Sequence, residues 1–423
     1  MKRVLLISPL DPARIPNSRD QNTLPFLARH GTTVVLLYLV QNVSRRLRDL
    51  VRDSLFCSVR AATDGPATRI RIDPPLNPCT GLEADVLQAR AAGATTFDAK
   101  GTLIRLLSPL GVLRDVLLIP VFYFVARRDR DGFDVCLAYG PWAACVGWLL
   151  KKSGRVRLLV YEDQDFEPGI VRNPLRKRWA GWLENMLIAK ADLVICVGER
   201  LAARRRRDTG QTIHVIPNGL DAKLFRAAVA TVQRPPTLIY MGNVVPWSGL
   251  DLLIDVLPRL VSKFPELKLL IVGTGMPSYL GCLGQQVAAT HLDAHVDFVG
   301  QVAHDDLPHW LSKASIGMAH FRPDAYRTYA FPLKVVEYMA CGLPVIGTQG
   351  TETEDLLQRY ACGLAIPFTA EALSAAIETL LSDHDLYARC RDNALRASAD
   401  FAWDRLLEKE YQLISAALNA ESP

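Results

Sequence analysis

Carboxylic acids crowd one short segment of the chain, residues 162–167, where four of the six side chains are acidic. The apolar residues before them predict a buried strand at 156–161. Because crowded carboxylates raise one another's pKa, one of them can take a proton from an attacking hydroxyl group. Glu162, Asp163 and Asp165 are therefore candidate general bases. An exposed acidic loop that caps the next helix and a divalent-metal site are the alternatives.

A lysine and a glutamate, three residues apart, lie at the start of a helix predicted within residues 331–347, FPLKVVEYMACGLPVIG. Pro332 can begin this helix and Gly342 can end it. A helix N-terminus carries partial positive charge and free N–H groups, so Lys334 beside it suits a pyrophosphate. Glu337, one turn further, can accept two hydrogen bonds from a ribose diol. A surface ion pair is the alternative interpretation.

Short apolar runs that alternate with helical patterns must position these side chains, and they predict parallel sheets covered on both faces. Strands are predicted at 4–8, 32–39, 135–139, 156–161, 193–197 and 214–216, and then at 238–241, 268–272, 296–299, 316–319 and 344–346. The order of residues 41–100 is not predicted. The fold class is therefore α/β, with two tandem Rossmann-like doubly wound domains. We expect ligands at a cleft between the carboxyl ends of the two sheets.

The composition fits this architecture. The chain has 423 residues, 49% hydrophobic and 22% charged, which is typical of a globular protein of two domains. Its nine cysteines include no C-x-x-C pair, which argues against a zinc ribbon and a thioredoxin-type site. The sequence shows neither a signal peptide nor an apolar run of spanning length, so we expect a cytoplasmic location, with the inner face of the membrane as an alternative.

The charge is divided unevenly along the chain. Residues 1–225 hold 34 Lys and Arg against 22 Asp and Glu, whereas residues 226–423 hold 15 against 22. The basic first half therefore predicts an anionic partner. Much of the charge lies in Arg204–Arg207 and in the basic residues beside Trp179 and Trp182. Anionic lipid or a pyrophosphate-linked acceptor would explain it, and a solvated helix face is the alternative.

The same half of the chain bears on two further partner classes, membranes and nucleic acid. Residues 103–128 contain long apolar runs broken by arginines, which is typical of a helix lying on a membrane or of a pair of core helices. No nucleic-acid-reading motif accompanies the positive charge, so nucleic acid is not a predicted partner.

Several segments resemble the GT-B glycosyltransferases of family 4. The matching segments are EYMACGLPVIGT at 337–348, LIYMGNVVPWSGLDLLIDVL at 238–257, LIVGTG at 270–275 and VIPNGL at 215–220. The resemblance implies an acceptor-binding domain at 1–225, a nucleotide-sugar-binding domain at 226–400 and a helix at 401–423 that crosses back to the first domain. It also implies that Glu337 holds the ribose of the donor.

The chain departs from the family 4 pattern at several positions. The family usually has an arginine and a lysine where this chain has Asn243 and Ser248, and a glutamate where it has Tyr329. The catalytic pair that contains histidine in the family is here Glu162 and Asp163. The usual residues of a retaining enzyme are thus largely missing, which favours inversion.

A second resemblance, to xanthan-type β-glucuronosyltransferases, concerns the site more closely. These inverting GT-B enzymes use a lipid-linked acceptor, and their pattern assigns Asp165 as catalytic base and Lys334 to the donor pyrophosphate. It also matches Gly273, Gly275 and Met276, an aromatic residue at Phe321, and the N-terminal region of Arg14 and Asn17, which would bind the acceptor. The full predicted donor site is Glu337, Lys334, Gly242, Asn243, Gly273, Gly275, Met276, Phe321 and Tyr329.

The sequence therefore predicts a hexosyl- or glucuronosyltransferase that moves a sugar from a nucleotide-sugar to a hydroxyl group of a glycan or lipid-linked acceptor. UDP is favoured as the commoner carrier, and cell-surface polysaccharide or glycolipid synthesis as the context. The nucleotide-sugar is a co-substrate, and no metal or other cofactor is expected. The alternatives are a non-catalytic nucleotide-sugar-binding protein, a sugar-nucleotide epimerase and a peripheral membrane protein without enzymatic activity.

Overall fold

The computed structural model describes residues 1–8, 17–39, 58–64, 67–73, 118–171, 174–226 and 236–420. The chain divides into two compact units. One unit contains Met1–Ile216 and Leu407–Pro423, and the other contains Pro217–Leu406. This division falls after Ile216, earlier in the chain than the predicted boundary at residue 225.

The first unit is built on an eight-stranded sheet in the order β3-β4-β2-β1-β5-β6-β7-β8. Its strands are β1 (Arg3–Ser8), β2 (Thr33–Leu39), β3 (Ser58–Asp64), β4 (Ala67–Asp73), β5 (Phe133–Tyr139), β6 (Val156–Asp163), β7 (Leu193–Cys196) and β8 (His214–Val215). All neighbours run parallel except β3, which is antiparallel to β4. The central strands are buried on both faces, which explains their nearly continuous apolar sequences.

Helices surround this sheet. They are α1 (Arg19–Arg29), α2 (helical residues 118–127), α3 (Pro141–Lys152), α4 (Glu167–Ile170), α5 (Pro174–Ile188) and α6 (Glu199–Thr209). Of the predicted interfacial segment 103–128, residues 103–117 lie outside the described part of the chain. In α2, Leu118, Phe122 and Ala126 are buried while Phe124 is 59% exposed.

The second unit has a six-stranded parallel sheet in the order β11-β10-β9-β12-β13-β14. Its strands are β9 (Thr237–Met241), β10 (Lys268–Val272), β11 (Val296–Gly300), β12 (Ile316–Ala319), β13 (Val345–Thr348) and β14 (Gly363–Ile366). The strand order reverses between β9 and β12. In sheets of this kind, the crevice beyond the carboxyl ends of these two strands is where ligands bind.

The helices of the second unit cover both faces of its sheet. They are α7 (Ala222–Arg226), α8 (Leu250–Lys263), α9 (Pro277–Ala289), α10 (Leu307–Ser312), α11 (Leu333–Ala340), α12 (Glu352–Tyr360), α13 (Ala370–Ser382), α14 (His384–Ser398) and α15 (Trp403–Ala420). From Leu407 onward, α15 belongs to the first unit. The predicted α/β fold with two Rossmann-like sheets is thus confirmed. None of the helices in the described ranges is both long and apolar enough to cross a membrane.

One local expectation is wrong. The sequence placed the acidic cluster wholly beyond the strand that ends at residue 161, but β6 continues to Asp163. Glu162 and Asp163 are the last two residues of that strand and both are buried. Only the acids after them lie in the connection to α4. The strand continues because β7 pairs with it as far as Asp163, opposite Cys196.

Candidate functional site

Two glycine turns lie against each other at the carboxyl ends of β9 and β10. The Gly242 amide donates to the Val272 carbonyl (2.9 Å), and the Val244 amide donates to the Thr274 carbonyl (3.0 Å). At Gly273, which has a φ of +139°, a β-carbon would fall 2.0 Å from the Gly242 carbonyl oxygen. At Gly275 it would fall 2.1 Å from the Val244 oxygen. These turns therefore require glycine.

Lys334, on the first turn of α11, brings its ammonium group to the first of these turns. A β-carbon at Gly242 would lie 3.0 Å from the lysine Nζ. The same Nζ lies 4.3 Å from the centre of the Tyr240 ring and 4.6 Å from that of Phe321. Burial lowers the pKa of Lys334 to about 7; Glu337 opposes this shift and the charge of Arg327 adds to it.

Glu337, one turn further along α11, is buried and faces a histidine. Its Oε1 lies 3.4 Å from Nε2 of His304, at the start of the short 3-10 helix after β11. The ring of Phe225 packs edge-on against the imidazole, with centroids 5.7 Å apart. The hydrogen bond to Glu337 raises the pKa of His304, although burial opposes the rise. The contact with His304 therefore fixes the Glu337 carboxylate on α11, the helix that also carries Lys334.

The other predicted donor residues lie in the same unit, and they differ in their exposure to solvent. Met276 is buried and its amide donates to the Val244 carbonyl (3.0 Å), whereas Asn243 is exposed. The Asn243 carbonyl accepts from the Tyr240 hydroxyl at 2.7 Å. Tyr329 lies in the turn before α11 and is partly exposed. Phe321 packs against Trp247 and borders Lys334, so it belongs with the glycine turns.

The sequence reasoning missed an arginine in this region. The Arg327 guanidinium lies 3.8 Å from the centre of the Trp247 ring and pairs with Asp324. Burial lowers its pKa to about 10, so the group stays charged at neutral pH. No helical or strand period marks Arg327, because it lies in an irregular turn that only the tertiary structure brings to the site.

In the first unit, Asp163 is held by a buried arginine. Arg205 donates through Nε to Asp163 Oδ2 (2.7 Å) and through Nη2 to Oδ1 (3.2 Å). The same guanidinium donates through Nη1 to Glu184 Oε2 (2.8 Å). Burial raises the pKa of Glu184 to about 7, and Arg205 opposes this rise. Both carboxylate oxygens of Asp163 are thus fixed by one guanidinium, which indicates a structural role for this residue.

Glu162 belongs to a different buried cluster. Its Oε2 lies 3.7 Å from Nη1 of Arg19, which also pairs with Glu410 of α15. Glu162 Oε1 has no hydrogen-bond partner within the described ranges. Burial raises the pKa of Glu162 to about 8, and the nearby Glu410 carboxylate adds to the rise. Two buried carboxylates therefore share one arginine, an arrangement that favours the protonated form of Glu162.

Sequence comparison follows the division into two halves. Residues 221–397 match the model described as Glycosyl transferases group 1, and residues 80–224 match that of Glycosyltransferase Family 4. Both halves of the chain therefore resemble glycosyltransferases. The glycine turns, Lys334 and Glu337 all lie in the segment that matches the group 1 model, and the acidic cluster lies in the segment that matches the family 4 model.

Curated relatives match part of the chain. The D-inositol 3-phosphate glycosyltransferase of Jonesia denitrificans is 26% identical over 212 residues, covering 46% of this chain and 49% of the relative. The phosphatidyl-myo-inositol mannosyltransferase of Mycobacterium tuberculosis is 34% identical over 170 residues, covering 38% and 41%. The chain thus spans about half the length of the curated relatives it matches. Both relatives are named as enzymes that act on inositol compounds, so they do not support the narrower resemblance to xanthan-type glucuronosyltransferases.

Solved structures match almost the whole chain. Sucrose-phosphate synthase from Thermosynechococcus elongatus has a TM-score of 0.70 at 21% identity and covers 99% of this chain and 100% of that one. Anabaena HepE in complex with UDP has a TM-score of 0.69 at 18% identity and covers 98% and 100%. The structural neighbours show that the chain has the GT-B fold.

The remaining predicted residues of the first unit differ in their access to solvent. Asp165 is partly exposed in the connection between β6 and α4. Asn17 is buried just before α1, with a left-handed φ of +60° that asparagine tolerates. Arg14 lies outside the described residues. Of the three acids, Asp165 is therefore the one with access to solvent.

The arginine run 204–207 serves the fold of this domain. Arg205 points inward to Asp163. Arg204 pairs with Asp208 (2.9 Å), and Arg206 pairs with Glu199 (3.3 Å) and donates to the Ile213 carbonyl (2.7 Å). The run combines one buried member with surface ion pairs, rather than forming a uniform basic face.

Proposed function

We propose that the chain is a glycosyltransferase that moves a sugar from a nucleotide-sugar to a hydroxyl group of a glycan or lipid-linked acceptor. The observation that carries this proposal is the geometry at the switch point of the second sheet. There, two glycine turns, the Lys334 ammonium and the Glu337 carboxylate meet where a nucleotide ligand would lie. The match to two glycosyltransferase models supports it independently.

The donor would be held by contacts with the main chain and with charged side chains. Gly242, Gly273 and Gly275 leave room for the nucleotide close to the main chain, and Lys334 would neutralise the diphosphate. Glu337, held by His304, would accept hydrogen bonds from the ribose hydroxyls. Anabaena HepE was solved with UDP, while some relatives are named as GDP-mannose-dependent. We propose a UDP-sugar, with the guanosine nucleotide as the alternative outcome of a binding test.

For the transfer step we assign Asp165 as the general base. It would take the proton of the acceptor hydroxyl as that oxygen forms its bond to the anomeric carbon, while the bond from this carbon to the diphosphate breaks. Lys334 would stabilise the negative charge that collects on the leaving diphosphate. A base that takes the proton directly from the attacking hydroxyl group would favour inversion. Glu162 and Asp163 would have supporting roles, because both are buried in ion-paired clusters.

We propose that the reaction needs no metal and no bound cofactor, because protein cations can neutralise the leaving diphosphate. Transfer that continues in excess EDTA would support this assignment. Loss of transfer in EDTA that Mg²⁺ or Mn²⁺ restores would contradict it.

The acceptor is the less defined substrate, and we propose a lipid-linked one in the synthesis of a cell-surface glycan or glycolipid. Relatives named as phosphatidylinositol mannosyltransferases support this class. Trp179 and Trp182 of α5 are 48% and 60% exposed beside Lys177 and Arg178. An aromatic and basic face of this kind suits peripheral contact with an anionic membrane, here the inner face. Arg14 and Asn17 would contact the acceptor.

The test is a turnover assay with wild type and Asp165→Asn. Purified protein is incubated with UDP-sugars or GDP-sugars and a membrane-lipid extract, and labelled product is followed. We expect acceptor-dependent transfer that falls at least about a hundredfold in the variant. Donor binding without turnover in either protein would instead indicate a non-catalytic binding protein. Isomerisation of the donor without acceptor would indicate an epimerase.

A further inference from the structure

We infer that Arg327 is a second cation of the donor diphosphate site, shared with Lys334. The inference rests on the proposed function, since it names a further residue of the same site. It assigns binding of the donor phosphates to an arginine of a loop.

Both cations come from one segment and share one aromatic wall. The turn that holds Arg327 leads directly into α11, whose first turn holds Lys334. The Arg327 guanidinium lies over Trp247, whose ring packs against Phe321 with centroids 5.8 Å apart. Phe321 in turn borders the Lys334 ammonium at 4.6 Å. The two charges thus lie at the two ends of a continuous aromatic surface beside the glycine turns.

The charges are close enough to influence each other. Arg327 adds to the fall in the pKa of Lys334, which burial has already lowered to about 7. A lysine whose pKa is lowered in this way carries less positive charge at neutral pH than an exposed lysine does. A second cation at the same site would add to the positive charge that faces the diphosphate. Arg327 remains charged, and its planar group can donate two parallel hydrogen bonds to a phosphate.

The ion pair with Asp324 leaves the Arg327 guanidinium able to bind an anion instead. Asp324 is 45% exposed, whereas the Arg327 side chain is 12% exposed. An ion pair with a half-exposed carboxylate is weak, because water competes for the carboxylate. Asp324 Oδ1 also accepts from the backbone amides of Tyr326 and Arg327 at 3.0 and 2.8 Å. Asp324 therefore shapes the turn and presents the arginine.

The test compares binding of UDP and uridine to wild type, Arg327→Gln and Arg327→Lys. Arg322→Gln is the matched control, because Arg322 is an exposed arginine of the same loop that pairs with Asp251. UDP binding is measured by calorimetry, and uridine binding by ligand-observed NMR. GDP and guanosine replace them if wild type prefers guanosine nucleotides. We expect Arg327→Gln to weaken diphosphate binding about tenfold and to leave nucleoside binding unchanged, with a smaller loss in Arg327→Lys.

A second variant separates phosphate binding from a role in loop structure. Asp324→Asn keeps the oxygen that accepts from the turn amides but removes the charge that holds Arg327. If Arg327 binds phosphate, this variant retains or gains diphosphate affinity. If the ion pair only orders the loop, it loses affinity as Arg327→Gln does, and the inference is wrong.

The remaining outcomes are also decisive. Diphosphate affinity in Arg327→Gln within twofold of wild type would overturn the inference while the proposed function stands. Equal loss of nucleotide and nucleoside binding would assign Arg327 a structural role and overturn it as well. Failure of wild type to bind any nucleoside diphosphate would instead contradict the proposed function itself.

Discussion

His304 Nε2 lies 3.4 Å from Glu337 Oε1, and this contact joins two segments that are 33 residues apart in the chain. The histidine follows β11 and the glutamate lies on α11, which follows β12. The imidazole therefore restrains the carboxylate proposed to bind the ribose.

The first prediction concerns this pair. His304→Ala should weaken nucleotide binding about threefold to tenfold, because Glu337 loses the hydrogen bond that orients it. His304→Gln, which can still donate, should retain most of the affinity. Calorimetry on both variants, and on each combined with Glu337→Gln, measures the coupling. Losses that simply add in the double variants would show that His304 does not act through Glu337.

A second prediction concerns pH and Lys334. The pKa of this lysine, lowered to about 7 by burial, means that the free protein loses the ammonium charge as the pH rises above 7. An anion binds the charged form, so UDP affinity should fall between pH 7 and 9, by up to tenfold per pH unit. Lys334→Arg stays charged and should bind with a flatter pH profile. The same slope in both proteins would assign the effect to another group.

A third prediction separates structure from catalysis in the acidic cluster. Arg205→Met leaves Asp163 and Glu184 buried without their cation, so it should destabilise the first unit by about 3–5 kcal/mol. Arg204→Met is the control at a neighbouring, more exposed position. Urea unfolding followed by circular dichroism measures both. A loss below about 1 kcal/mol in Arg205→Met would show that Asp163 is not held as the structure indicates.

A fourth prediction concerns Glu162. Its pKa, about 8 in the folded protein against an ordinary value of 4.5, means that the folded state holds a proton that the unfolded state has lost between these pH values. This group therefore lowers stability as pH rises from 4.5 to 8. Glu162→Gln should be more stable than wild type at pH 9 and differ little at pH 5.

The measurement is urea unfolding at pH 5, 7 and 9, with Glu199→Gln as a surface control. A Glu162→Gln protein that is less stable than wild type at every pH would contradict the prediction. It would show instead that Glu162 is ionised and that its pairing with Arg19 stabilises the fold.

The sequence was sufficient for most of the second sheet, because strands buried on both faces have continuous apolar runs. The spacing of Lys334 and Glu337 also predicted that they share one helix, as α11 confirms. The sequence did not order β3 and β4, whose alternating polar residues carry a weaker signal. Nor did it reveal His304 or Arg327 as site residues, because their positions depend on strand order and on an irregular turn.

The buried Arg205 illustrates a signal that was present but not used. Within four consecutive arginines, composition alone suggests a basic surface. Leu201, four residues earlier on α6, is fully buried, and Arg205 shares its face of the helix. The helical period therefore marked one member of the run as inward-facing. What the period does not show is its partners, Asp163 and Glu184, which come from other elements.

We propose above that the second unit binds the nucleotide of a sugar donor through Lys334 and Glu337. The most direct measurement is calorimetric titration of wild type and Glu337→Ala with UDP and GDP at pH 7, with folding checked by circular dichroism. We expect saturable binding of one nucleotide by wild type and a loss of affinity of about tenfold or more in the variant. Absence of binding to wild type, or equal affinity in a folded Glu337→Ala protein, would contradict it.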